Sequence, residues 1–274
     1  MKTALLTVRR CGPLALAAFC LAWLTGGGAG HAWAIPGQPE RLDFGGLVRT
    51  YSLHVPAGLE HPAGLVVNLH GAGATGKDQE AATNYDAVAD AHGFIVVYPD
   101  GIDFSWADGR GPSQPDRQGV DDVGFITTLV GKLVADFVVD PGHVFATGMS
   151  AGAFMVNRLA CERADVFAAV APVAGTLGVN AGCAPSRPVS VLATHGTADP
   201  IVPFAGGSMN GRGGPSVIVS APEMVARWRQ ADGCQDTACA AGTAVVLKQV
   251  DGGGHVWPGD ASDASWQFFA AHSR

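Results

Sequence analysis

Gly148-Met149-Ser150-Ala151-Gly152 sets a serine between two glycines, directly after the apolar run His143 to Thr147 and before a helix-compatible segment, Ala153 to Ala160. A serine hydroxyl is a poor nucleophile at neutral pH. It needs a base to take its proton and a carboxylate to orient that base. Strand, sharp turn and helix are the context of a nucleophile elbow, where a side chain at either glycine would crowd the backbone as strand and helix meet. The pentapeptide alone is weak in a chain with 38 glycines, so its partners decide.

On a scaffold of this kind the partners follow in the order acid, then base. Asp199, in Thr194-His195-Gly196-Thr197-Ala198-Asp199-Pro200, lies just after the strand-like run Val189 to Thr194. A turn aspartate before proline is its equally common structural role. Asp121 and Asp122 compete, but they precede the serine at a helix N-terminus, where carboxylates cap and complement the dipole. The base is His255, in Gly252-Gly253-Gly254-His255-Val256-Trp257-Pro258-Gly259, after the last strand-like run. His195 precedes the acid and is expected to make a structural hydrogen bond. An oxyanion hole needs two backbone donors: Ala151, which follows the nucleophile, and Ala72, in the small-residue loop His70-Gly71-Ala72-Gly73-Ala74 after the first long buried strand.

Strands must present these groups at one edge of a sheet. Strand-like runs fall at Arg49 to Val55, Leu65 to His70, Phe94 to Tyr98, His143 to Thr147, Phe167 to Val173, Val189 to His195 and Ala244 to Val250. Helical patterns fall at Asp78 to His92, Val120 to Phe137, Pro222 to Ala231 and Ala261 to His272. Runs this apolar are buried on both faces, and their alternation with helices predicts a doubly wound, mostly parallel α/β sheet with helices on both faces. Sites in such folds lie beyond the carboxyl ends of the strands. The Gly/Ser-rich stretch Ala205 to Ser220 reads as a surface loop near the site or, equally, a disordered insertion.

Of the 274 residues, 47% are hydrophobic and 15% charged, enough for one sizeable core. Residues 1–34 read as a signal peptide: Lys2, Arg9 and Arg10, then apolar Leu14 to Leu24, then the cleavage site Ala32-Trp33-Ala34. Residues 35–274 are then a single catalytic domain, secreted or periplasmic, with no stable membrane insertion after cleavage. Loss of the leader moves the formal charge from −7 to −10, which excludes nucleic-acid binding through the net field. Four cysteines remain, Cys161, Cys183, Cys234 and Cys239. An even count in an exported chain points to disulfides, and of the three pairings the sequence-local one is favoured. No thiol or imidazole spacing suits a metal, and the chemistry asks for no cofactor. Composition does not reveal the oligomeric state.

Asn68-Leu69-His70-Gly71, Tyr98-Pro99-Asp100-Gly101, Asp121 to Phe125, Gly148 to Gly152, His195 to Pro200 and Gly252 to Gly259 together resemble the secreted α/β-hydrolase esterases of the polyhydroxybutyrate depolymerase and feruloyl esterase type (carbohydrate esterase family one). The resemblance implies Ser150, Asp199 and His255 as the triad, agreeing with the residue-level reading, and brings Trp106 and Trp257 near the substrate. Many relatives carry cysteine or glycine after the His-Gly; Ala72 stands here and still offers its amide. No linker and polymer-binding domain follow Arg274, which argues against attack on crystalline polyester. The expected substrate is a small or oligomeric ester: feruloyl, acetyl or short hydroxyalkanoate. A serine peptidase on the same fold would need a site for the peptide chain, and a catalytically dead binding protein would have little reason to keep all three triad residues.

Overall fold

The computed structural model describes residues 39–235 and 239–274. The leader expected over residues 1–34, with cleavage before Ile35, lies outside the described residues. Among the described residues ten strands form: β1 (Glu40–Phe44), β2 (Leu47–His54), β3 (Leu65–Leu69), β4 (Ile95–Pro99), β5 (Val144–Met149), β6 (Ala169–Val173), β7 (Ser190–Gly196), β8 (Gly207–Gly211), β9 (Gly214–Ile218) and β10 (Val245–Val250). The helices are α1 (Gly76–Thr83), α2 (Tyr85–His92), α3 (Gln114–Gln118), α4 (Asp122–Phe137), α5 (Ala151–Glu162), α6 (Ala221–Ala231) and α7 (Ala261–Ala271).

One sheet runs in the order β1-β2-β4-β3-β5-β6-β7-β10. From β4 to β10 every neighbouring pair is parallel, and β1 and β2 add an antiparallel edge. Strands β3 to β7 are buried along their length, save the half-buried Met149 at the end of β5, because successive side chains enter different cores. Leu65, Val67 and Leu69 pack with Leu129 of α4, Leu159 of α5 and Trp228 of α6. Val66 points the other way, into a cluster with Val88 of α2 and Phe269 of α7. Period-2 alternation between two apolar faces is the physical content of a doubly wound sheet.

Register carries the site. Leu69 is opposite Gly148, so the chain leaving β3 emerges beside the turn that ends β5. Gly196 is opposite Val250, so the chains leaving β7 and β10 emerge together.

Both sequence-local disulfides form, Cys161–Cys183 from the last turn of α5 and Cys234–Cys239 after α6. Among the described residues, no helix is long and apolar enough to cross a membrane.

Three expectations need correction, and one strand, β1, lies outside all of them. The helix expected over 78–92 is two helices, divided at Asn84, whose φ of 50° is one an asparagine tolerates better than most residues. The two pieces bury different surfaces: Gln79 and Thr83 of α1 hydrogen-bond Asn68, whereas Tyr85 and Val88 of α2 join the apolar cluster. Strand β1 had no apolar run to announce it, since its residues alternate between half-buried and exposed at the sheet edge. The stretch from Ala205 to Ser220 is the antiparallel ribbon β8–β9, tied down where Val179 N–H donates to Val217 O and Val219 N–H to Leu177 O. Asp121 caps α4 through Gly124 N–H at 2.7 Å, but Asp122 does not. It is fully buried, accepting from Arg49 Nη2 and from Ala107 N–H, both at 2.7 Å.

Candidate active site

Ser150 sits at φ 55°, ψ −118°, between the end of β5 and the start of α5. Its own N–H donates to Val173 O at 3.0 Å, which fixes the turn against β6. A non-glycine residue in this region carries strain of order 1–3 kcal/mol, held by its surroundings. The flanking glycines are required by space. A Cβ on Gly148 would lie 2.7 Å from Leu69 O, and one on Gly152 only 2.2 Å from the same oxygen. Gly175 is similar, with a Cβ 2.5 Å from that of Ala153.

The loops that follow β7 and β10 are stitched together. Thr197 N–H donates to Val250 O, Ala198 N–H to Gly253 O and Gly252 N–H to Thr197 Oγ1, at 3.0, 2.9 and 2.8 Å. The backbones come so close that a Cβ on Gly196 would lie 2.3 Å from Gly253 O. Asp199, its side chain fully buried, uses its two oxygens differently. Oδ1 accepts from Ile201 and Val202 N–H at 2.8 and 2.9 Å, and Oδ2 accepts from His255 Nδ1–H at 2.8 Å. The turn role expected of this aspartate is filled by one oxygen, and the other is left to His255.

Ala72, Ser150, Ala151 and His255 line one cleft of about 230 Å³. Ala151 opens α5, so its N–H has no partner within the helix. Around Ala72 the other amides are engaged: Gly73 N–H donates to Phe104 O and Ala74 N–H to Gly71 O. His70 holds this loop. Its Nε2 accepts from Gly101 N–H at 2.9 Å, which leaves Nδ1 as the protonated nitrogen donating to Gly71 O at 2.8 Å. Burial pushes the His70 pKa down and favours this neutral tautomer.

The tryptophan expectation is corrected for Trp106. It is completely buried, its ring 4.7 Å from that of His70, and its Nε1–H donates to His70 O at 2.9 Å. With no accessible surface it packs beneath the His70 loop and offers no face to the cleft. Trp257 is half-buried and donates from Nε1 to Ser262 Oγ at 3.1 Å, and it too is outside the cleft lining.

The sequence profile described as "Esterase PHB depolymerase" matches residues 49–240. The chain belongs to this esterase family. A putative esterase NocK from Nocardia uniformis subsp. tsuyamanensis is 34% identical over 249 residues, covering 78% of this chain and 72% of that protein. Feruloyl esterase B from Piromyces equi is 32% identical over 75% of this chain but 41% of its own length. Probable feruloyl esterase C from Aspergillus niger is 29% identical over 81% and 84%. Among solved structures, the acetyl xylan esterase from Aspergillus awamori superposes with a TM-score of 0.61 at 18% identity, over 86% of this chain and 100% of that one. Likeness at that identity speaks for the fold, which is the α/β-hydrolase fold.

The stretch expected near the site does reach it, but no residue of the esterase's far cleft wall was singled out: Met209 to Gly213 of the β8–β9 ribbon, with Arg110 and Ile201. Met209 anchors the ribbon by packing with Phe154, Val202 and Ile218. The available signal was Gly211-Arg212-Gly213-Gly214 between two short runs, the glycine-rich chemistry of a tight hairpin.

His195 makes the structural hydrogen bond expected of it, donating from Nε2 to Val202 O at 2.8 Å, with Asp199 Oδ2 at 3.6 Å. Burial lowers its pKa, Val202 O and Asp199 oppose that shift, and His255 adds to it. A depressed imidazole pKa gives stability that is complete above the unfolded value of about 6.5 and is lost as pH falls toward the folded one. In His195→Gln an amide stands in for Nε2 without titrating. The difference in Tm between wild type and this variant is expected to shrink between about pH 7.5 and about pH 5. A constant difference in thermal unfolding across that range would refute the assignment.

Proposed function

We propose that this esterase is exported and cleaves carboxylic esters through an acyl-enzyme on Ser150, with His255 as base and Asp199 as its orienter. The observation that carries the reading is the 2.8 Å bond from His255 Nδ1–H to Asp199 Oδ2, with His255 and Ser150 lining the same cleft. With its proton held at Nδ1 by Asp199, His255 turns an unprotonated Nε2 to the substrate side. It takes the Ser150 proton as Oγ attacks the carbonyl, then returns that proton to the leaving alcohol. The Ala72 and Ala151 amides receive the oxyanion. Water enters by the same route in reverse and frees the acid.

The family and the names of its relatives favour feruloyl, acetyl or short hydroxyalkanoate esters as substrates. Residues 35–274 act as one catalytic domain behind the leader at 1–34, and the two disulfides suit an oxidising compartment.

A fluorophosphonate probe tests the nucleophile directly. The expected result is labelling of wild type at Ser150, mapped by mass spectrometry, and none of Ser150→Ala. Equal behaviour of the two proteins would end the proposal. Methyl ferulate, short p-nitrophenyl esters and hydroxybutyrate oligomers, assayed side by side, then rank the substrate classes.

A further inference from the structure

The cleft continues past the serine in two directions. Through Ile201 and Met209 it joins a cavity of about 530 Å³ walled by Pro200, Pro203, Pro215 and Val217. Through Ser105, Ser113 and Arg212 it joins a second, of about 440 Å³, whose lining adds Asp103, Gln114 and Arg117. The β8–β9 ribbon contributes to all three. The result is a trough with an apolar end, a polar end and the serine between them.

Three arginines converge on this trough, and their surroundings set them apart. Arg110 is matched: Nε and Nη2 donate to the buried Asp108 carboxylate at 3.0 and 2.6 Å, and its guanidinium lies 3.9 Å over the Phe154 ring. Arg117 donates to the carbonyl oxygens of Pro112 and, at 3.1 Å, Gly213, fastening the ribbon tip to α3 without cancelling its charge. Arg212 stands at the tip itself, with 48% of its side chain exposed. Its carboxylate neighbour, Asp103 Oδ1, is 3.9 Å away, beyond hydrogen-bonding distance. Its Nη1 lies 3.6 Å from where a Cβ would stand on Gly73, next to the Ala72 amide. Two guanidinium groups against one carboxylate leave this end positive, in a chain whose formal charge is −7.

We infer that Arg212 is a specificity-determining residue that receives a carboxylate carried by the ester substrate, so that esters with a free acid group are preferred over neutral ones of the same shape. A guanidinium fork fits a carboxylate in two parallel hydrogen bonds, and an arginine whose ion-pair partner stands at 3.9 Å, too far for a hydrogen bond, still has those donors to offer. The inference rests on the acyl-enzyme reading above and adds the charge of the substrate to it.

Two matched pairs test it, one on each side of the scissile bond: p-nitrophenyl hemiglutarate against p-nitrophenyl valerate, and the hydroxybutyrate dimer acid against its terminal amide. The quantity read is the ratio of kcat/KM within a pair, measured separately for wild type, Arg212→Gln and Arg212→Lys, so that a general loss of activity cancels. Wild type is expected to favour the acid by about tenfold in at least one pair. That preference should fall close to one in Arg212→Gln, be partly kept in Arg212→Lys, and weaken as salt is raised. An unchanged ratio in Arg212→Gln, or no preference in wild type, overturns the inference, as does failure to cleave either acid while neutral esters are cleaved. If neither acids nor neutral esters are hydrolysed, the acyl-enzyme reading fails as well.

Discussion

Asp199→Asn lowers kcat on every ester by about 10⁴ while the protein stays folded. The direction follows from the way Asp199 divides its oxygens. Oδ1 accepts from two backbone amides, Ile201 and Val202. In the variant that position must keep the carbonyl oxygen, because an amide nitrogen would face two donors with none of its own accepted. The new NH₂ group therefore turns to His255 in place of Oδ2. A donor there forces Nδ1 to accept, moves the imidazole proton to Nε2, and removes the lone pair that should take the serine proton. Steady-state kinetics with a chromogenic ester, together with a Tm close to that of wild type, check the prediction. A variant with near-normal kcat would mean that Asp199 serves the turn alone.

Gly152→Ala destabilises the protein by ~3 kcal/mol or more. For a chain of this size that is a fall in Tm of about 6–12 °C. The added methyl group would lie 2.2 Å from Leu69 O and 2.8 Å from His70 O. Both are backbone atoms, so no rotamer change relieves the overlap. Either α5 moves, taking the Ser150 turn and the Ala151 amide with it, or the chain after β3 moves, taking Ala72. Activity should fall along with Tm for that reason. Gly131 in α4 is the control, since beyond its own stretch of helix no atom lies within 4 Å of its Cβ position, and Gly131→Ala should be tolerated. Equal thermal unfolding of the Gly152 and Gly131 variants would refute the close-packing account of the elbow.

The placement of the proposed triad was legible in local sequence because each of its three residues sits at a strand end marked by its own short motif. Ser150 lies between glycines that the close approach of Leu69 requires, and His255 follows three glycines, one of which meets Gly196 at contact distance. These positions are set by backbone crowding, which admits few residue types and therefore shows in the residues themselves. The disulfide pairing was legible for a related reason, since loop closure favours partners near in sequence.

Other features escaped because they depend on residues far away in the chain. Asp122 follows a capping aspartate and looks like a second one. Only the fold brings Arg49, 73 positions away, within 2.7 Å and makes it half of a buried ion pair. Trp106 reads as a candidate binding aromatic until the His70 loop covers it. The ribbon from Gly207 to Ile218 has too little apolar character to declare itself, and it becomes ordered wall by docking Met209 against Phe154 and Val202.

By itself the sequence determined which residues are candidates for the chemistry and in what chain order: a serine, an aspartate, a histidine and two small-residue loops, each constrained by local backbone geometry. Tertiary structure alone decided what surrounds them, namely which charges are cancelled, which rings are covered and where a guanidinium faces the cleft. Reactivity is written in short motifs because steric exclusion acts over a few ångströms along the chain. The shape and charge of the cleft arise from residues that only the packed sheet brings together.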